Sequence, residues 1–206
     1  MSVIKSVSFN QQEIISGIMQ LCGIERFDVD LTYGNGKFWS AENMPENRFD
    51  IDDSLGNLTA VCSSVKTPLG NSTAMSAMFD PPFLTYVRES RNGNGNMVMA
   101  KRFSGYWRYD ELAEHYRQTA KEAARILAKK GIFVVKCQDI IHNHKMHCTH
   151  ANMIEWCAEW FRLKDLFVLP AKHRMPSPNR IGSQKHARIF HSYFLVFERN
   201  AASVTE

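Results

Sequence analysis

Four consecutive residues, Asp80-Pro81-Pro82-Phe83, combine a carboxylate, two rigid backbone units and an aromatic ring. Adjacent prolines cannot donate to a sheet ladder or continue a helix, so the segment reads as a stiff loop after a strand expected over 73–79. The chemistry this combination suits is activation of an aromatic amine. Such a nitrogen is a poor nucleophile because its lone pair is delocalised into the ring. A carboxylate accepting one N–H, and a backbone carbonyl held outward by the prolines accepting the other, would localise that lone pair. Phe83 could stack on the ring. The plainer reading is a loop start that contains two prolines, and a tetrapeptide alone does not exclude it.

Two upstream features give the loop a context. Asp30-Leu31-Thr32-Tyr33-Gly34-Asn35-Gly36 follows the short strand expected at Phe27–Leu31. Glycines at a strand's carboxyl end let the backbone turn at positive φ and approach a ligand closely, and ligands of open α/β sheets sit on that rim. An ordinary strand-to-helix turn would look the same. Asp50 and Asp52 follow at about the 20-residue spacing at which an acid reaches ribose hydroxyls in nucleoside-binding sheets. The strand expected over Arg48–Asp52 puts Asp52 at its end, with Asp50 as the alternative.

In this order, the motifs resemble those of the S-adenosylmethionine-dependent amino-methyltransferases that make N6-methyladenine or N4-methylcytosine in DNA. Asp80 to Phe83 is similar to the family's (Asp/Asn/Ser)-Pro-Pro-(Tyr/Phe/Trp) motif, with Phe where Tyr is more usual. Asp30 to Gly36 resembles its cofactor loop, reading Thr32-Tyr33-Gly34-Asn35-Gly36 where many relatives have Phe-x-Gly-x-Gly. The resemblance spans roughly residues 10–198. It implies a class I methyltransferase (Rossmann-like) fold, with a seven-stranded sheet whose last strand is antiparallel. It implies S-adenosylmethionine contacts from Asp30, Thr32, Tyr33, Gly34 and Gly36, with Asp50 or Asp52 on the ribose, and a catalytic role for Asp80 with Pro81, Pro82 and Phe83. Transfer would be direct, without a covalent enzyme intermediate, with adenine N6 placed ahead of cytosine N4.

The elements that must carry these loops follow from hydrophobic periodicity. Ile14, Ile15, Ile18, Met19 and Leu21 predict a helix over 10–22, with Asn10 as its N-cap. A third short element is expected near Leu58–Val61. Leu112, Tyr116, Ala120, Ala123, Ala124 and Leu127 predict a helix over 108–130 closed by Gly131. Ile132–Val135, Leu166–Leu169 and Tyr193–Phe197 read as strands, with a helix over 151–162. Strands alternating with helices predict a mostly parallel α/β sheet covered on both faces, and the last two strands, lacking a helix between them, an antiparallel edge hairpin. Phe38 and Trp39 read as core packing beside the glycine turn.

The chain has 206 residues, 44% of them hydrophobic, and a formal net charge of +4. These values suit one α/β domain with elaborated loops, expected at 84–107 and 170–191, and no separate target-recognition domain. Five irregularly spaced cysteines argue against a disulfide framework, and no apolar run is long enough to span a membrane; a cytoplasmic protein is expected. No acid occurs between Asp165 and Glu198, a stretch holding Arg174, Arg180, Lys185 and Arg188. Lys101, Arg102 and Trp107 form a second basic and aromatic group. Phosphate neutralisation beside aromatic stacking suits a flipped base or a single strand, so nucleic acid, DNA first, is the expected partner; two solvated loops are the plainer alternative. His142, His144, His147, Cys148 and His150 invite a zinc reading, but their spacing is not that of a known finger, and a polar loop without metal is the expectation.

Three other functions stay open: the same chemistry on RNA or a protein amine, a degenerate methyltransferase that only binds, and a nicotinamide oxidoreductase. The last lacks a full G-x-G-x-x-G, since Trp39 stands at the third glycine position.

Overall fold

The computed structural model describes residues 3–83, 85, 106, 108–172 and 185–201. Helix α1 (Gln11–Cys22) begins where the Asn10 side chain accepts from the Gln12 N–H, and ends at Gly23 in the left-handed region. The remaining elements are β1 (Val29–Asp30), β2 (Asn47–Asp50), β3 (Ala60–Val61), β4 (Ala74–Phe79), α2 (Tyr109–Ile126), β5 (Leu127–Cys137), β6 (Ile140–His142), β7 (Lys145–His147), α3 (Thr149–Cys157), β8 (Phe161–Pro170) and β9 (His191–Arg199). Seven strands form one sheet in the order β3-β2-β1-β4-β5-β9-β8, and β6 with β7 forms a separate ribbon.

Strands β1 to β5 pair in parallel, whereas β9 runs antiparallel to both β5 and β8. The expected hairpin is therefore present. Its second strand is the inner one, inserted between β5 and β8, so β8 forms the edge. The N-terminal segment lies along that edge: Ser8 N–H donates to the Val168 carbonyl at 3.2 Å and Val168 N–H to that of Ser6 at 2.7 Å. Among the described residues no helix is long and apolar enough to cross a membrane.

Alternation along the central strands builds two core layers. Phe133 and Val135 of β5, Ala77 and Phe79 of β4, and Leu195 and Phe197 of β9 pack with Leu112, Tyr116 and Ala120 of α2. Ile132, Val134, Met78, Phe194 and Val196 occupy the opposite face, with Ile14, Ile15 and Ile18 of α1. Phe38 and Trp39 pack with this second layer, as expected of core aromatics.

Two helix boundaries differ from the periodicity. Helix α2 stops at Ile126, because the chain turns directly into the ladder with β4. Ala74 pairs with Leu127 and Ser76 with Ile132, so the residues between Leu127 and Ile132 loop out of register. Lys130 takes the positive φ there (63°), and a Cβ on Gly131 would lie 2.9 Å from the Ala128 carbonyl oxygen. Gly131 thus serves a tight bulge and not a helix cap. Ala128, Lys129 and Lys130 are good helix formers, but pairing with β4 overrides that preference. Likewise α3 spans Thr149–Cys157, and residues from Phe161 onward belong to β8.

Phe79, fully buried at the end of β4, sets the height of the loop that follows. Its ring lies 5.2 Å from Tyr116 and 5.6 Å from His115, both edge-on. Phe79→Ala is expected to cost about 3–5 kcal/mol of stability. The check is a urea unfolding midpoint well below the native one at an unchanged slope; a shift within error would mean the neighbours collapse into the space.

Candidate functional site

Three carboxylates stand at the carboxyl ends of adjacent parallel strands: Asp30 ends β1, Asp50 ends β2, and Asp80 directly follows β4. Their neighbours Val29, Leu31, Phe49 and Phe79 point into the α2 layer, so strand alternation turns all three acids toward the α1 face.

Asp30 is buried, and both its oxygens are engaged. Oδ1 accepts from Thr32 N–H at 2.9 Å and Oδ2 from Trp39 Nε1 at 2.6 Å. Burial raises its carboxyl to about 7, opposed by these two hydrogen bonds and reinforced by the charges of Asp80 and Asp50. Asp30 therefore shapes the glycine turn from below. Tyr33 does the same from the side: it is buried, its hydroxyl donates to Met44 Sδ at 3.1 Å, and a Cβ on Gly36 would collide with that hydroxyl at 2.6 Å. Gly34 is different. It takes φ 57°, and a Cβ built on it meets nothing within 4 Å. The open side of the turn is at Gly34, where backbone can meet a ligand.

Asp50 serves this turn. Its Oδ2 accepts the Gly34 N–H at 2.8 Å and its Oδ1 the Asp52 N–H at 3.0 Å. Asp52 is not at the strand end, as the longer strand expected over Arg48–Asp52 would have it. β2 stops at Asp50, and exposed Asp52 turns to Ser54, accepting its N–H at 2.9 Å and its hydroxyl at 2.6 Å. The order of the two acids is thus reversed: Asp50 faces the glycine turn.

Asp80 is tied to the same turn. Its N–H donates to Thr32 Oγ1 at 2.8 Å, while Thr32 N–H is held by Asp30. The Asp80 side chain is 21% exposed and lies 3.4 Å from Lys136 Nζ. Burial raises the carboxyl, and the Lys136 charge and hydrogen bond pull it down. On the other face the Pro82 carbonyl accepts from the Tyr116 hydroxyl at 3.5 Å, so the double-proline turn is held from both sides of the sheet. Pro81 is buried and Phe83 partly buried.

Lys136 is the residue the motif reading passed over. It occupies the phase of Ile132 and Val134, where alternation calls for an apolar side chain. A cation on the apolar phase at a strand's carboxyl end is itself a sequence signal.

The histidines of the β6–β7 region go to separate partners. His150 Nδ1 meets both Asp139 oxygens at 2.7 and 2.9 Å and its ring stacks on Tyr193 at 4.2 Å. His142 bonds Thr85 Oγ1 at 3.0 Å, the His147 ring lies tilted against Tyr109 at 3.8 Å, and the His144 carbonyl accepts from His186 at 3.0 Å. Among the described residues no group of three His, Cys, Asp or Glu side chains is placed to hold a metal ion.

Of the basic positions, Lys185 and Arg188 are exposed in the segment leading into β9. Lys101, Arg102, Trp107, Arg174 and Arg180 lie outside the described residues, as do most of the loops expected at 84–107 and 170–191.

No family model matches the chain, and no curated protein sequence matches it. Solved structures do. A candidate sarcosine dimethylglycine methyltransferase from Galdieria sulphuraria is similar over 91% of this chain and 84% of its own, at 12% identity and TM-score 0.56. The structure of the Haloferax volcanii Trm112 methyltransferase activator with a candidate methyltransferase matches at 14% identity, 91% and 89% coverage and TM-score 0.56. An S-adenosylmethionine-dependent methyltransferase from Methanosarcina mazei matches at 11% identity, 91% and 97% coverage and TM-score 0.53. At such identities the fold is what is shared, and it agrees with the strand order above: the chain has the class I, Rossmann-like methyltransferase fold.

The buried Asp30 carboxyl gives stability a pH dependence. Its value is raised on folding from near 4 to about 7, so the folded state binds its proton more tightly than the unfolded chain does. The stability this supplies is fully present below about pH 4 and is lost as pH rises through about 7. Thermal midpoints measured from pH 5 to 8 should decline more steeply in the native protein than in Asp30→Asn. Asn offers one acceptor oxygen for two donors, so that variant should also melt lower at pH 5. Parallel slopes would remove Asp30 from this role.

Proposed function

We propose that the protein is an S-adenosylmethionine-dependent methyltransferase acting on the exocyclic amino group of a nucleic-acid base, with adenine N6 in DNA as the first candidate. The observation that carries this reading is the Thr32 bridge. It fixes the Asp80-Pro81-Pro82-Phe83 turn to the glycine turn on one rim of a methyltransferase sheet.

The rim fits the cofactor by its own chemistry. Gly34 presents open backbone, and Asp50 is a carboxylate beside it that can accept hydroxyl hydrogens of a ribose. When bound, the cofactor supplies a methyl group on a positively charged sulfur. The chain's residues do the rest. Asp80 accepts one N–H of the amine. A carbonyl of the double-proline turn accepts the other N–H; that of Pro82 already meets the Tyr116 hydroxyl at 3.5 Å. Both hydrogen bonds draw the nitrogen lone pair out of the ring and aim it. One proton of the amine would leave by way of Asp80 to solvent as the nitrogen takes the methyl group that the cofactor would supply, the sulfur keeping the electron pair. Phe83 stacks on the base.

The Asp-Pro-Pro-Phe turn does not choose the polymer, since any planar amine fits the same acceptors. Exposed Lys185 and Arg188 support an anionic polymer. Labelled S-adenosylmethionine incubated with single- and double-stranded DNA and with RNA, followed by nucleoside mass spectrometry, tests the assignment. N6-methyladenine in DNA is expected; label in RNA alone, or in protein, would reassign the substrate, and label in none would overturn the reading.

Asp80→Ala should lower methyl transfer about a hundredfold or more while cofactor affinity by calorimetry stays near native. Asp50→Ala should weaken cofactor binding about tenfold or more, since a charge-assisted acceptor and the support of Gly34 are lost together. Asp52→Ala should leave it nearly unchanged. Equal effects of the two substitutions on the dissociation constant would refute the assignment of Asp50.

A further inference from the structure

The geometry points to Lys136 as a positioning residue that holds Asp80 as an ionised, aimed acceptor for the substrate amine. The inference rests on the catalytic reading of Asp80 above.

Lys136 is only 13% exposed and sits at the carboxyl end of β5, beside the end of β4, where Phe79 pairs with Val135. Its ammonium is caged. It lies 5.2 Å from the ring centroid of Phe38 and 5.7 Å from that of Phe194, and donates to Gln11 Oε1 at 3.0 Å. Two aromatic faces and an amide oxygen stabilise a cation at this point. Gln11 is itself fixed, since its Nε2 donates to the Phe38 carbonyl at 3.1 Å. The first turn of α1, the segment after the glycine turn, β5 and β9 therefore converge on one ammonium group.

The contact with Asp80 is loose and even-handed. Nζ lies 3.4 Å from each carboxylate oxygen. A tight charge-assisted bond would be about 2.8 Å and would draw one oxygen toward the ammonium, taking one of its lone pairs. At 3.4 Å from both, the charge is neutralised while lone pairs stay available to an amine. A carboxylate this enclosed would otherwise favour its neutral form, and a protonated Asp80 is a weaker acceptor of the amine N–H. The other ionisable groups facing Asp80 are Asp30 from β1 and Tyr116 from α2, both of which feel its charge. An ionised Asp30 would add repulsion, and a neutral Tyr116 adds none, so the stabilising charge comes from Lys136. The acceptors on α1 and the rings on β9 and the Phe38 segment are neutral.

Lys136→Met keeps the packing between Phe38 and Phe194 and removes the charge; Lys136→Gln keeps a polar tip, and Lys136→Arg keeps the charge. The first measurement needs no substrate. The Asp80 side-chain carboxyl carbon is followed by NMR against pH, with Asp80→Asn used to assign its signal. Its midpoint should rise by about one pH unit or more in the Met and Gln variants and stay near native in Arg. The second is the pH profile of methyl transfer to mixed-sequence DNA and RNA. The Met variant should lose about tenfold at pH 6 and recover toward pH 9. In an Asp80→Asn background the same change should add no pH dependence. Thermal midpoints and cofactor affinity report whether each variant folds, and the Gln variant decides if Met does not. An unmoved carboxyl midpoint overturns the proposal, as does a loss of transfer equal at every pH. Native protein that methylates none of these polymers, or Asp80→Ala that methylates normally, overturns the catalytic reading instead, and the carboxyl titration still decides whether Lys136 governs Asp80.

Discussion

Thr32 makes two hydrogen bonds on which the geometry of the rim depends. Its N–H goes to the buried Asp30 carboxylate, and its hydroxyl accepts the N–H of Asp80. The first bond shapes the glycine turn after β1; the second ties that turn to the segment after β4. β1 and β4 are adjacent and parallel, so their carboxyl ends are already neighbours. What the sheet alone does not set is the relative height of the two turns, and Thr32 sets it with one short side chain. A serine could keep both bonds, whereas a valine would keep only the backbone one and leave the Asp80 N–H without this acceptor.

Electrostatics adds a second constraint. Three carboxylates face one side of the sheet, and the structure treats each differently. Asp30 is buried with both oxygens hydrogen-bonded, Asp50 supports the glycine turn through the Gly34 N–H and keeps lone pairs for a further donor, and Asp80 keeps a cation at a distance. Burial pushes Asp30 and Asp80 up, and the charges of Asp80 and Asp50 raise Asp30 further. Lys136 is the counterweight on this face, and its cage of Phe38, Phe194 and Gln11 fixes where the counterweight sits.

Much of this was legible in the amino-acid sequence, for physical reasons. The sheet class followed from alternating periodicities, and the Asn10 cap and the Asp80 turn from residues with few conformational options. The failures share one cause: local patterns overridden by pairing. Lys129 and Lys130 extend the helical pattern of α2, but the ladder with β4 ends it at Ile126. Asp52 looked like the strand's terminal acid, yet β2 ends where its pairing with β3 ends, at Asp50. Lys136 stood one residue past the strand expected at Ile132–Val135; its apolar phase was the clue, and only the neighbouring strand shows what the charge meets. Trp39 was legible as core but not as a donor to Asp30, because that bond closes across a turn whose shape depends on two positive-φ glycines.

The double-proline turn is braced from the opposite face as well, and this bears on why its stiffness is more than a property of proline. Tyr116 donates to the Pro82 carbonyl, and its ring packs edge-on against Phe79. Behind it, Tyr106 bonds His115 Nδ1, His115 Nε2 meets Ser64 Oγ at 2.8 Å, and Ser64 meets Thr119 at 2.9 Å. Burial lowers His115 to about 4, so at neutral pH this chain is uncharged throughout and holds by hydrogen bonds alone. A charged network beneath the turn would add its field to Asp80; a neutral one gives rigidity without it. The division of labour between the faces follows: neutral bracing under the α2 side, where position must be held, and charge on the α1 side, where an amine would be polarised.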